Sequence, residues 1–148
     1  MGEIAVSAER IIPVPADRVY AALADYKDQH HKFLPSQFTD YEVEEGGVGE
    51  GTVVSFNVTL GGRTRPSRAH VTEPEPGRVL VETEPDSRTV TTFTLSPEGQ
   101  STRVQIRSTF PSSDGLMGYL ERLLAPRLLR GVYSDELTLL ANHLGELD

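Results

Sequence analysis

Apolar and polar residues alternate between positions 3 and 12, which places Ile4, Val6, Ala8 and Ile12 on one side of an extended segment. That is the period of a strand with one buried face. The pattern then changes. Val14-Pro15-Ala16-Asp17 offers a proline for the first helical position and an acid for the first turn, a helix-start signal. Val19, Ala22, Leu23 and Tyr26 follow at helical spacing. Residues 28–35 are too few for a long helix and are expected to end at Pro35. From residue 38 the period returns to two, and segments near 38–45, 52–60, 64–73, 78–84, 89–96 and 101–110 read as strands. The glycine run 46–51, Gly61-Gly62, Pro74 to Gly77, Pro85-Asp86-Ser87 and Ser96 to Gly99 punctuate them. Such short connections suit antiparallel neighbours, because parallel strands need long crossovers, so a six-strand meander is expected. The stretch from Ser113 to about Leu144 is helical in spacing, with Leu116, Leu120, Leu123 and Leu124 leading into Tyr133, Leu137, Leu140 and Leu144. Pro126 lies inside it and is expected to kink or break the helix.

The order is therefore strand, helix, short helix, six strands, long helix, an α+β class. Five stretches carry more than that order: "IIPVPADRVYAALADY" (11–26), "EEGGVGEGTVVSF" (44–56), "VTEPEPGRVLVETE" (71–84), "TTFTLSPEGQSTRVQI" (91–106) and the terminal helix. Together they resemble the helix-grip fold of the START/polyketide-cyclase-like (SRPBCC) superfamily, in its polyketide cyclase/dehydrase and lipid-transport-like branch. The resemblance covers essentially the whole chain, 1–148, read as one domain. It implies a curved antiparallel sheet wrapped around the C-terminal helix, with two short helices between the first two strands. It also implies a deep apolar cavity that holds a lipid, polyketide, sterol or other hydrophobic molecule.

Given such a cavity, strand periodicity selects what lines it. The more apolar faces are Val54, Phe56 and Val58; Ala69 and Val71; Val79 and Val81; Thr91, Phe93 and Leu95; and Val104, Ile106, Ser108 and Phe110. The same faces carry Tyr41, Arg65, Ser67 and Thr83, polar groups able to orient a ligand; for Arg65 and Thr83 the alternative is a strand end that touches water. In the resembled family the short second helix borders the cavity, so His30 and His31 become rim candidates, and Phe33 and Leu34 candidates for apolar contact. Adjacent histidines point in different directions, so at most one easily joins a given site. On the terminal helix the candidates are Leu120, Leu124 and Tyr133.

Composition narrows the chemistry. The net charge of −8 and pI near 5.0 disfavour a nucleic-acid face and docking on anionic lipid. Without cysteine there are no disulfides, thiolate nucleophiles or cysteine metal sites. No basic-then-apolar leader opens the chain and no run nears the roughly 18 apolar residues of a membrane span; a cytoplasmic location is expected. Asn57-Val58-Thr59 forms a glycosylation sequon that is idle in that location. Gly47-x-Gly49-x-Gly51 leads into a strand rather than a helix, so a hairpin turn is expected instead of a phosphate loop. No two of His30, His31, His70 and His143 stand at i, i+4, which argues against metal; no cofactor is implied. His70, between Ala69 and Val71, is expected on the outer face. Arg122, Arg127 and Arg130 read as a solvated helix face, with a phosphate or partner contact as the alternative.

The leading expectation is a binding module for a small hydrophobic molecule, as a monomer or homodimer. The alternatives are a cofactor-free cyclase, aromatase, dehydratase or hydrolase using a few polar cavity residues, and a chaperone-like module that binds a polypeptide.

Overall fold

The computed structural model describes the backbone of residues 2–112 and 115–146 and the side chains of 2–112 and 125–145. Strand β1 (Gly2–Ile12) leads into helix α1 (Ala16–Ala24) and a single 3-10 helix, His30–Phe33. Six strands follow: β2 (Phe38–Glu45), β3 (Val53–Leu60), β4 (Arg63–Glu75), β5 (Val79–Glu84), β6 (Thr89–Glu98) and β7 (Ser101–Ser112). Helix α2 (Gly115–Glu146) closes the order. The sheet runs β1-β7-β6-β5-β4-β3-β2 with every neighbour antiparallel. The meander is thus the one expected, and β1 returns to pair with β7, Gly2 opposite Ser112 and Ile12 opposite Thr102. The architecture is the helix-grip α+β fold.

Local chemistry explains the junctions. Pro15 is the residue before α1 rather than its first helical residue, and its carbonyl accepts from the amides of Arg18 and Val19. Gly61 and Gly62, at φ 57° and 81°, form the two-residue connection between Leu60 and Arg63, which pair directly. Positive φ at both central residues is the hairpin geometry that matches strand twist. The glycine run between β2 and β3 does more than turn. Gly49 donates to the Ala24 carbonyl, Lys27 donates to the Gly47 carbonyl, and Gly51 donates to Val71. Glu50 and Glu73 also exchange backbone-to-carboxylate bonds at 2.7 and 2.9 Å. The loop amides are spent inside the protein, so the loop clamps the end of α1 to the sheet.

Register shifts between β2 and β3 at Thr39/Glu42 and between β4 and β5 at Thr72/Glu75 bend the strands locally. Asp40, at φ 53°, lies in the first of these. In consequence Phe38 and Tyr41, three residues apart, face the same side.

Helix α2 lies against β1, β7, α1 and the 3-10 helix. Its buried positions Val132, Tyr133, Glu136, Leu137, Leu140 and Leu144 form one stripe. The helix continues through Pro126, so the break considered for it does not occur. The turns that follow bury enough surface against the sheet to outweigh one missing amide bond. On β5 the inner face is the reverse of the one expected. Leu80 is fully buried while Val79 and Val81 are half-buried on the outer side with Thr83. Leu80, Glu82 and Glu84 point inward.

Candidate functional site

Between the concave face of the sheet and α2 lies a cavity of about 430 Å³. Cross-strand register orders its walls. Leu80, Phe93, Ile106 and Ala8 form one row across β5, β6, β7 and β1. The next row is Val71, Glu82, Thr91, Ser108 and Val6. A polar band of Glu82, Thr91 and Ser108 therefore crosses β5, β6 and β7. Beyond it, Glu84 pairs with Thr89 toward the rim, where Arg63, Arg65 and Ser87 also border the cavity. Leu34, Phe38, Val54, Phe56, Val58 and Leu60 supply an apolar side, and Ala125 and Leu129 of α2 complete it.

The band meets polar groups from the helices. Thr91 Oγ1 and Ser108 Oγ lie 2.6 Å apart, and Ser108 bonds in turn to the Tyr133 hydroxyl of α2. Tyr26 donates to Glu82 Oε2 at 2.6 Å, and Tyr41 donates to the Tyr26 carbonyl at 2.6 Å. His30 is buried and stacked on Tyr26 with ring centroids 4.4 Å apart. Its Nδ1 lies 2.7 Å from the Leu23 carbonyl. A carbonyl can only accept, so Nδ1 carries the proton and the neutral ring leaves its Nε2 lone pair free. That Nε2 faces Glu82 Oε2 at 3.7 Å and Glu136 Oε2 at 3.9 Å.

Burial decides the protonation states here. It holds His30 down at about 4, with the Leu23 bond opposing. It pushes Glu82 up to about 7, with the Tyr26 bond opposing and Glu84 adding to the rise. Glu136, 4% exposed, is raised well above the ordinary carboxyl range by burial and then by the neighbouring Glu82. Burial likewise raises Tyr133 to about 12. At neutral pH the inner end thus presents a neutral imidazole and a Glu82 near its midpoint, with Glu136 shifted toward its protonated form. Glu84 is raised by burial but restrained by the Ser67 hydroxyl, the Arg65 guanidinium and Ser87.

Of the residues picked from the sequence, His30, Leu34, Tyr41, Phe56, Arg65, Thr91, Phe93 and Tyr133 border the cavity. Arg65 does so at the rim, exposed, in keeping with the alternative of a water-facing strand end. His31 is outside, tilted against Tyr41 beside a shallow surface depression with Lys27 and Glu42. Adjacent positions on the 3-10 turn point apart, so only the first of the two histidines faces in. Phe33 belongs to the core instead, fully buried against His30 and His143. Ile106, Ser67 and Ser108 share the inward faces but are buried and do not border the cavity; Ile106 and Ser108 stand beside Phe93 and Thr91 on the neighbouring strand, and strand periodicity gives the face but not the depth. The side chains of Leu120 and Leu124, with those of Leu116, Arg122 and Leu123, lie outside the described residues, as does Ser113. Arg127 and Arg130 are exposed, and His70 pairs with Thr83 on the outer face.

Among the cavity groups that escape the sequence reading are Tyr26, Glu82, Glu84 and Glu136. Tyr26 fits the helical spacing of the core stripe, but it follows the end of α1. Glu136 has a signal, since it stands three residues after Tyr133 and four before Leu140, an acid on an apolar stripe. Among the described residues, no group of three or more His, Asp or Glu side chains is disposed to hold a metal ion. No described helix is long and apolar enough to cross a membrane.

A curved sheet gripping a long helix around a ligand-sized cavity with a buried polar end defines a helix-grip cavity protein. The chain belongs to the polyketide cyclase / dehydrase and lipid transport family, whose model matches residues 3–145. Similar solved structures include the KanY protein, 29% identical with a TM-score of 0.87, covering 98% of this chain and 99% of that one. A protein from Thermus thermophilus is 23% identical with a TM-score of 0.80, covering 97% and 99%. The Zhui aromatase/cyclase from Streptomyces sp. R1128 is 22% identical with a TM-score of 0.62, covering 98% and 93%. No curated protein shows significant similarity to the chain.

Proposed function

We propose that the protein binds one small, largely apolar molecule, a lipid, polyketide or aromatic metabolite, between the sheet and α2. The observation that carries this reading is the cavity itself: about 430 Å³ falls within the range of small-molecule sites, and an apolar wall with a few convergent polar groups is their usual composition. Leu34, Phe38, Phe56 and Phe93 serve as the apolar contacts, with Tyr41, Thr91 and Tyr133 beside the polar end and Arg65 at the rim. The family's description, which includes lipid transport, supports it. Native mass spectrometry of protein purified from its own host tests it, together with titration by a panel of fluorescent apolar probes and fatty acids. A co-purifying small molecule or saturable one-to-one binding is expected. Absence of both across the panel would refute the reading.

One arrangement favours a second reading, cofactor-free acid–base catalysis on the bound molecule. A neutral imidazole with a free lone pair beside a protonated carboxyl can take one proton and give another, and the Zhui relative is an aromatase/cyclase. On that reading Glu136→Gln abolishes turnover while binding persists. An open cavity of this size favours a small occupant over a polypeptide.

A further inference from the structure

The inner end of the cavity holds a buried group that the protein leaves unused. Glu82 Oε2 accepts from Tyr26, and Thr91, Ser108 and Tyr133 bond to one another. Glu136 borders the cavity, is 4% exposed, and has no hydrogen-bond partner among the described residues; His30 Nε2 stands 3.9 Å from its Oε2. Buried polar groups are nearly always paired, so one that faces a cavity without a partner points to what fills the cavity. His30 Nε2 is in the same condition, because its proton is committed on the other nitrogen to Leu23.

The two atoms are complementary. Held 3.9 Å apart, they are too distant to bond to each other. Yet a single oxygen set beside the pair reaches both at about 2.8 Å, with an angle of about 90° at that oxygen. Nε2 is an acceptor, and the Glu136 carboxyl in its protonated form is a donor. Of the common oxygen groups, a hydroxyl matches both, donating to His30 and accepting from Glu136. A ketone matches only Glu136. A carboxylate is repelled by Glu82 and finds no cation at this depth among the described residues; the arginines that border the cavity stand at its rim.

We propose that His30 and Glu136 form a receptor for a single uncharged hydroxyl, alcoholic or phenolic, on the buried end of an otherwise apolar ligand, and that this end excludes carboxylates. The proposal rests on the cavity-binding reading and names its ligand class. It is tested with the full chain near neutral pH and three matched probes, 2-naphthol, 2-methylnaphthalene and 2-naphthoate, by calorimetric or fluorescence titration. Saturable binding of 2-methylnaphthalene is expected. 2-Naphthol binds about tenfold tighter, the yield of two net hydrogen bonds, and 2-naphthoate binds more weakly than 2-naphthol by at least a similar factor. Glu136→Leu brings 2-naphthol to within about twofold of 2-methylnaphthalene, whose own affinity persists, while Glu136→Gln, which keeps a donor, retains most of the preference. Equal binding of the naphthol and its methyl analogue to the unaltered protein overturns the proposal and leaves cavity binding standing. So does a preference that survives Glu136→Leu, or a naphthoate that rivals the naphthol. Failure of all three probes to bind overturns both. The probe series on the unaltered protein decides the matter even where a variant fails to fold.

Discussion

Glu82→Gln isolates the energetic consequence of burying an acid beside the cavity. The Glu82 carboxyl moves from 4.5 to about 7 on folding, chiefly through burial. Its folded-state pKa is raised, so between those values the native state holds a proton that the unfolded chain has lost, and stability falls as pH rises. At about 1.4 kcal/mol per pH unit, the loss across that window is about 3 kcal/mol. His30 works in the opposite sense. Its folded value near 4 lies below the ordinary 6.5, so stability grows as pH rises through that interval and partly conceals the acid. The difference between variant and unaltered protein removes the histidine from the comparison. The amide oxygen of the introduced glutamine would still accept from Tyr26, whose hydroxyl lies 2.6 Å from the present carboxylate. The charge of Glu82 also pushes Glu136 upward, so removing it acts in the same direction. Urea unfolding from about pH 4 to about pH 8 is therefore expected to show the variant gaining about 3 kcal/mol relative to the unaltered protein. A gap that stays constant across the range, or shrinks toward alkaline pH, would refute the reasoning.

Phe33→Ala, which empties a fully buried core position, is expected to cost about 3–5 kcal/mol in denaturant unfolding, whereas His31→Ala on the exposed side is expected to stay within about 0.5 kcal/mol. Gly49→Ala meets both a φ of 67° and a Glu73 oxygen 2.4 Å from the new Cβ. It should displace the carboxylate that holds Glu50 and Tyr20 and cost roughly 1–3 kcal/mol in a thermal melt. His70→Ala is expected to leave probe affinity within about twofold, because His70 lies on the outer face opposite Thr83; a tenfold loss would show that the strand faces are misassigned.

Strand boundaries were legible because turns carry their own chemistry, and the glycines and prolines between β2 and β7 announce each one. Faces were legible wherever one side of a strand is plainly more apolar, as in Val54, Phe56 and Val58 or in Ala69 and Val71. On β5 the same rule misled. In "VLVETE" the two valines outweigh the single leucine, yet Leu80, Glu82 and Glu84 face inward. Choosing the apolar face discards acids in advance, and a ligand site is where acids are turned inward. Depth was the second gap. Phe33 and Leu34 look equivalent in the sequence, but a 3-10 turn sends one into the core and the other to the cavity. Distinguishing His30 from His31 depended on the Leu23 carbonyl, a group contributed by the backbone of α1 and invisible to any motif.

The pairing of β1 with β7 joins the first strand of the chain to the last strand of the sheet. During synthesis β1 emerges early and waits, with its ladder groups unmet, until the whole meander has followed. Such a distant pairing makes closure a late and comparatively slow event, and in the interval β1 and the unpaired side of the growing meander are both open strand edges. The alternating acids and small residues of β1, with Glu3, Ser7 and Glu9 on its outward side, keep that waiting strand from being apolar on both faces. The cavity inherits the same timing. The polar band ends at Ser108, which pairs with Val6 across this last seam, so the sheet side of the site is completed only when that seam closes.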